Sequence, residues 1–259
     1  MWLVESDMED ESGDQVNSVS RTFDIIEALK KLNGAGVSQV AEHAGIPTST
    51  AYNYLNTLQA REYVVKEGSE YHLANRFIHL GDFAKNRLQL VNVVKREIEP
   101  LLEETGGTVN VVVEEFGLGI YAYSRTAATG LQNFAHVRKR EHLHSTAAGK
   151  SILANLPDGR VTEILETRGV PQKTSSTIVD EEELYEELAR IEERGYALND
   201  EENTPGIRAV GAPIRTGEET CAAVSVAGPL NRFTDEMFYE ELPGLVRNTS
   251  KSVEVDIMS

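Results

Sequence analysis

The spacing of apolar residues divides the chain into a helical, turn-rich front and a longer back half where strands and helices alternate. Val19, Phe23, Ile26 and Leu29 recur at helical intervals and predict a first helix from about Val19 to Leu32. VSQVAEHA predicts a short second helix, and Gly45 and Pro47 punctuate a tight turn after it. TSTAYNYLNTLQARE predicts a third helix, with Thr48 as N-cap and Ala51, Tyr54, Leu55 and Leu58 as its apolar stripe. YVVK and EYHL flank Glu67-Gly68-Ser69 and predict a hairpin. From Arg76 to Thr105 the pattern is continuously helical, striped by Phe77, Leu80, Phe83, Ala84, Leu88, Val91, Val94 and Ile98, with Pro100 near a last turn or at a kink.

Gly106-Gly107 ends that run. TVNVVVEE and GLGIYAYS predict two strands turning at Phe116-Gly117, and LQNFAHVRKREHLH an extended or loop segment. Helices are expected over Ser145–Leu156 and Gly159–Arg168. DEEELYEELARIEERG is amphipathic, with Leu184, Leu188 and Ile191 facing in. YAL, IRAVGAPIR and CAAVSVAGP follow as β-rich runs, and a helix from Phe233 to Val255 closes the chain. The organisation is α+β: an acidic arm (1–16) read as disordered, a winged helix-turn-helix (17–75), a linker helix (76–90) and an α/β effector domain (91–259).

Helix, turn, helix and hairpin in that order outline a winged DNA-reading module. The third helix offers Thr48, Ser49, Thr50, Tyr52, Asn53 and Asn56 away from its apolar stripe. An asparagine there can pair bidentately with adenine. Arg21, Arg61, Lys66 and Arg76 are candidate phosphate contacts, or ordinary solvated surface charges.

Charge changes the picture. The net charge is −17, awkward for a DNA binder, but it is unevenly spread. Residues 1–14 hold six acids and no Lys or Arg, while residues 15–85 balance seven acids with seven bases, which leaves −11 for the remainder. Acid is thus kept off the module that must approach phosphate. High acidity with few lysines resembles proteins of salt-loving organisms, where screening weakens repulsion and counterion release adds little to DNA affinity.

Other classes fall away. No apolar run approaches a membrane span, and the start, MWLVESDMEDESGD, is no signal peptide, so a cytoplasmic location is expected. The single cysteine, Cys221, reads as a small buried strand residue and excludes cysteine-cluster zinc sites. His142 and His144 alternate, with His136 nearby, but no fourth metal ligand follows at a recognisable spacing. There is no nucleophile elbow, phosphate-binding glycine loop or paired catalytic carboxylate, and no cofactor is expected. Two rival readings stay open: a small hydrolase built around Ser145 and the histidines, and a sensor whose winged part binds protein.

SVSRTFDIIEAL, VAEHAGIPTSTAYNYLNTL and EYHLANRFIHLG, then HLHSTAAGKSILA, RGYALNDEENTPGIRAVGAPI and AVSVAGP, occur in an order that resembles the IclR family of transcription regulators. The resemblance runs from about Asn17 to the C-terminus. It implies a winged helix-turn-helix, a linker helix and a GAF-like effector domain without catalytic activity. It implies a homodimer or dimer of dimers, double-stranded operator DNA as partner, and an organic-acid, sugar-acid or aromatic effector. Thr48 and Asn53 stand where the family often carries a basic residue and an arginine.

Residue by residue, the resemblance nominates Leu143, Ala147, Ala148, Asn199 or Asp200, Ile207, Ala209, Ser225 and Ala227 as effector contacts. Ser145 to Lys150 opens a helix with small residues, which suits either a helix-terminus anion site or tight helix-on-sheet packing. Ala209 and Ala227 replace polar residues of some relatives, which makes the pocket less polar. Asp200-Glu201-Glu202 reads as a solvated turn, and Arg208 as the partner of Glu201 or Glu202.

Overall fold

The computed structural model describes residues 16–127, 140–215 and 222–258. The acidic arm up to residue 15, His136 and Cys221 lie outside the described residues. The chain divides into two compact units, Met1–Ala84 and Lys85–Ser259.

The first unit contains α1 (Asn17–Leu32), α2 (Val37–His43), α3 (Thr48–Ala60) and the hairpin β1 (Val64–Glu67) and β2 (Glu70–Leu73), and α4 (Arg76–Asn86) begins in it. Its core joins Ile25 and Leu29 of α1, Val40 of α2, Leu55 of α3, and Val64 and Tyr71 of the hairpin. α1 buries Ile25, Ala28 and Leu29, whereas Val19 and Phe23, expected in the core, are 51% and 61% exposed. The helix is apolar on two adjoining faces, and packing against α2 and β2 selects the one centred on Ile25. Asn33 ends α1 in the left-handed region and Gly34 follows at φ 96°. A Cβ on Gly34 would also meet the His72 ring at 2.1 Å, so both backbone and space demand glycine. Thr48 is not the cap of α3. Pro47 holds the N-cap position in an extended conformation, and Thr48 is the first helical residue.

The expected continuous helix over 76–105 is broken. α4 stops at Asn86, and Leu88, at φ −84° and ψ 86°, starts α5 (Gln89–Thr105). No glycine or proline marks this break. Pro100, a nominal breaker, instead lies on an exposed face within α5.

In the second unit, β3 (Thr108–Glu115) and β4 (Leu118–Thr126) turn at Phe116 and Gly117, both with positive φ. Such a two-residue turn matches the twist of its strands. β5 (Arg140–His142) leads through a 3₁₀ turn, Leu143–Ser145, into α6 (Ala147–Leu153), α7 (Asp158–Arg168) and α8 (Glu181–Arg194). β6 (Ala197–Asp200), β7 (Ile207–Ile214) and β8 (Ala222–Pro229) follow, then a π turn, Met237–Glu241, and α9 (Leu242–Met258). Among the described residues six strands form one sheet in the order β5-β4-β3-β8-β7-β6, each neighbouring pair antiparallel.

Period-two alternation gives that sheet two buried faces. Val109, Val111, Val224 and Val226 join residues of α5 and α9 in one core. Val112 and Ala223 join residues of α6, α7 and α8 in the other. The result is an antiparallel sheet between two helical layers, an α+β domain. α6 begins two residues later than expected. Thr146 caps it, its Oγ1 accepting from the Gly149 N–H at 2.9 Å.

Candidate functional site: an exposed recognition helix and a walled cavity

On α3, Thr48, Ser49, Tyr52 and Asn53 are exposed and Thr50 and Asn56 partly so, while Ala51, Leu55 and Leu58 are buried. A helix that turns hydroxyls, amides and a phenol outward can meet base edges. Arg21, Arg61, Lys66 and Arg76 are all exposed. Arg76 is already engaged: its Nη1 donates to the Glu62 carboxylate at 3.1 Å and the Arg61 carbonyl at 3.3 Å, and its guanidinium lies 5.0 Å from the Tyr63 ring centre. The Lys66 ammonium lies 5.2 Å from the Tyr71 ring centre.

In the second unit, two rows of paired residues cross the sheet beneath the start of α6. One runs Asn199, Ala209, Ala227, Thr108; the other runs Gly211, Ser225, Asn110, Ser124. A Cβ on Gly211 would meet the Ala147 carbonyl carbon at 2.7 Å, and one on Gly149 would meet the Leu143 carbonyl oxygen at 2.2 Å. Close packing therefore requires small residues here. A cavity of about 50 Å³ nevertheless opens beside the same helix start.

Ala147, Ala148, Ile207, Ala209 and Ala227 form its apolar wall. Asn110, Thr146, Asn199 and Ser225 supply polar groups, and Tyr121, Glu141, Asn203 and Thr204 complete the lining. The amides are oriented by their neighbours. Asn199 Nδ2 donates to the Ser145 carbonyl at 2.6 Å, and Asn110 Oδ1 accepts from Ser124 Oγ at 2.7 Å. Burial, and then the Glu141 carboxylate, push the Tyr121 phenol above its ordinary pKa and keep it protonated.

Seven of the nominated residues thus line one cavity: Ala147, Ala148, Asn199, Ile207, Ala209, Ser225 and Ala227. Leu143 does not; it is 2% exposed and packs in the α6–α8 core. Asp200 does not either, because one step along β6 reverses the side chain. Its carboxylate accepts from Arg208 at 2.8 and 3.2 Å and from the Tyr239 hydroxyl at 3.1 Å. The Arg208 bonds, chiefly, hold its pKa below the ordinary carboxylate value. Tyr121, Glu141, Asn203 and Thr204 carried no local signal in sequence. Asn110, the one amide in the apolar run TVNVVVEE, did.

The acidic run is not a solvated turn. Arg208 pairs with Asp200 and Asp235, not with Glu201 or Glu202. Glu201 Oε2 accepts from the Gly206 N–H at 2.6 Å. Glu202, 8% exposed, receives Lys150 Nζ on both carboxylate oxygens at 2.6 and 2.7 Å. Thr177 donates to its backbone carbonyl at 2.6 Å and Thr174 to that of Glu201 at 2.7 Å, so the two threonines anchor the loop that carries Asn203 and Thr204. His144 is buried, with Nε2 3.1 Å from the Pro171 carbonyl, and burial pulls its pKa down to about 4. Ser145 is wholly buried and its hydroxyl donates to the His142 carbonyl at 3.3 Å. Among the described residues no three His, Cys, Asp or Glu side chains gather as a metal site.

A winged helix-turn-helix in one chain with a three-layer domain holding a small walled cavity defines a ligand-responsive DNA-binding regulator. Residues 18–68 match the IclR helix-turn-helix domain, and residues 83–255 match the C-terminal domain of bacterial transcriptional regulator IclR. The chain belongs to the IclR family; it is a DNA-binding transcription regulator with a C-terminal effector domain, not an enzyme.

It is 33% identical over 246 residues to the "Probable HTH-type transcriptional regulator ArcR" of Halobacterium salinarum, covering 93% of this chain and 94% of that protein. The crystal structure of the Thermotoga maritima IclR is similar with a TM-score of 0.77 at 27% identity, covering 95% of this chain and all of that one. An IclR homologue from Microbacterium hydrocarbonoxydans, crystallised with 4-hydroxybenzoate, shares the fold with a TM-score of 0.80 at 19% identity over 93% of this chain and 98% of that one.

Proposed function

We propose that a small organic effector enters the cavity at the start of α6, and that its binding shifts a homodimer between arrangements with different affinity for operator DNA. The observation that carries this reading is the convergence of seven sequence-nominated residues on one cavity. The Microbacterium homologue, solved with 4-hydroxybenzoate, supports a small organic effector for this domain type. On the DNA side, Ser49, Tyr52, Asn53 and Asn56 of α3 read base edges, and Arg21, Arg61 and Lys66 contact phosphate. Arg76 must first exchange Glu62 for phosphate. Residues 17–75 act as the DNA module, 76–90 as linker and 91–259 as effector domain, in the cytoplasm.

Exposed apolar side chains support self-association. Phe23 on α1 and Phe83 on α4 are 61% and 72% exposed, and Leu80 is 49% exposed. Burying such residues between two copies removes apolar surface from water. The test is genome-wide mapping of DNA sites in the native organism, followed by binding to a recovered site with and without candidate effectors. A protein that selects no sequence at native salt would refute the reading. A monomer by light scattering at micromolar concentration would refute its dimeric form.

A further inference from the structure

The exposed face of α3 carries no charge. Thr48 to Ala60 contains no Lys, Arg, Asp or Glu. The gap in basic residues is wider than this helix. Val37 to Ala60, which spans α2, the turn and α3, has no Lys or Arg, and Glu42 is its one carboxylate. What the face does carry is a narrow set. Ser49, Tyr52, Asn53 and Asn56 follow at steps of three, one and three residues, which sets them on one side of the helix. Ser49, Tyr52 and Asn53 are exposed and Asn56 partly so, while Ala51, Leu55 and Leu58 fix the other side in the core. The Thr57 hydroxyl donates to the Asn53 carbonyl at 2.8 Å, a bond that engages the Asn53 main chain and not its side-chain amide.

The bases differ in what they ask of such a face. In the major groove guanine shows two acceptors, N7 and O6, which an Arg or Lys takes together. Cytosine shows an amino donor, which an Asp or Glu accepts. Neither kind of side chain is present on α3. Adenine shows an acceptor and a donor side by side, N7 and the N6 amino group, and a side-chain amide matches both. Thymine adds a methyl group that takes an apolar contact. Asn53 and Asn56 supply amides, and the Tyr52 ring supplies apolar surface at 48% exposure. The charge balance adds weight. Residues 15–85 carry as many acids as bases, and Arg76 is paired with Glu62. Phosphate contacts, which hold a protein on any sequence, are therefore few, and more of the affinity falls on the bases.

We infer that α3 selects A·T pairs. Asn53 takes an adenine through N6 and N7, Tyr52 packs on a neighbouring thymine methyl group, and G·C pairs are rejected where α3 meets the major groove. This rests on the reading of α3 as the DNA-contacting helix and names the base chemistry which that helix accepts.

The test begins with selection of duplexes from a random pool by the full-length protein at native salt, repeated with Asn53→Ala and Tyr52→Ala. Both residues are exposed, so the melting temperature should hold in each variant. Positions whose preference a variant relaxes are those α3 reads, and they should be A·T. Single changes in the best duplex then test the atoms. G·C at the Asn53 position should weaken binding about five- to a hundredfold. 7-Deazaadenine, which lacks N7, should weaken it about three- to tenfold, the loss of one hydrogen bond. Uracil in place of thymine, which removes the methyl group alone, should weaken it about fourfold. An inosine·cytosine pair shows the minor groove of A·T and the major groove of G·C, so it should bind as weakly as G·C. Asn53→Arg should move the preferred base from adenine to guanine.

G·C at the positions that the variants relax would overturn the proposal and leave α3 as the DNA-contacting helix. An inosine·cytosine pair that binds like A·T would overturn it in favour of groove shape, read without contact to base edges. Full affinity for both the deaza and the uracil duplexes would overturn it as well. A selected sequence that neither Asn53→Ala nor Tyr52→Ala relaxes would remove the reading role from α3. If no sequence is selected at native salt, the regulator reading falls and the proposal falls with it.

Discussion

The exposed face of α3 and the floor of the cavity are built from the same kinds of side chain and treated oppositely. Asn53, Ser49 and Tyr52 are exposed. Asn199, Asn110 and Ser225 are 3%, 3% and 4% exposed, and both asparagines are tied to neighbours. The ion pairs differ in the same way. Lys30 and Glu27 of the DNA module pair at 66% and 67% side-chain exposure, whereas Lys150 and Glu202 pair at 2% and 11%. On the helix, polar groups keep their water until a partner arrives, so altering one changes binding alone. Around the cavity they hold the fold together, so altering one risks both stability and binding.

The largest test of this contrast is Lys150→Met. It leaves Glu202 buried without its counter-charge and should cost about 3–5 kcal/mol in urea unfolding of the effector domain. Lys150→Met with Glu202→Leu should recover most of that. A loss below about 1 kcal/mol for the single variant would break the contrast, since the pair would then behave like a surface one.

Acid should act next. His144 has its folded-state pKa lowered from 6.5 to about 4 by burial. Above pH 6.5 the ring is neutral in both states and costs nothing. As pH falls from 6.5 toward 4 the unfolded chain takes the proton and the folded one resists. Stability is therefore lost across that window, by about 3 kcal/mol in total from this residue. Denaturant unfolding at stepped pH checks this: His144→Phe should flatten the slope between 6.5 and 4, and an unchanged slope would assign the acid sensitivity elsewhere.

Asn53→Ala should reverse the pattern. Specific DNA binding should fall by about 1–3 kcal/mol, with relaxed preference at one base pair and an unchanged melting temperature. Operator titrations on base-substituted sites, beside a melting curve, separate the two effects. The smallest effect expected is that of salt. With seven bases balanced by seven acids over residues 15–85, the module should release few counterions. The log–log slope of affinity against salt should stay well short of about −10; a slope that steep would show that the neutral balance misjudges the local field.

The secondary structure was largely legible because helices and strands leave short-range periods, and α8, with one apolar stripe and acids opposite, is the clearest case. What failed did so where two periods competed or where no local signal exists. α1 is apolar on two faces, so Val19 and Phe23 looked like core. The break at Arg87-Leu88 has no glycine or proline to announce it, while Pro100 announces one that does not occur. The cavity was legible in its α6, β7 and β8 walls through the family resemblance. Glu202 was not, because its partner lies 52 residues away and nothing in a run of acids says which one will be buried.

The rows beneath α6 also divide the cavity floor by its freedom to change. Gly211 is locked, since any side chain would strike the backbone of Ala147. Ala209 and Ala227, cross-strand neighbours one row away, both face the cavity and carry the smallest side chains that still pack. On the proposed reading of the cavity as effector site, exchanges at those two positions change what it accepts while α6 keeps its seat and α3 keeps its exposed face. A descendant protein can thus acquire a new signal and answer it at an old operator through two substitutions on adjacent strands.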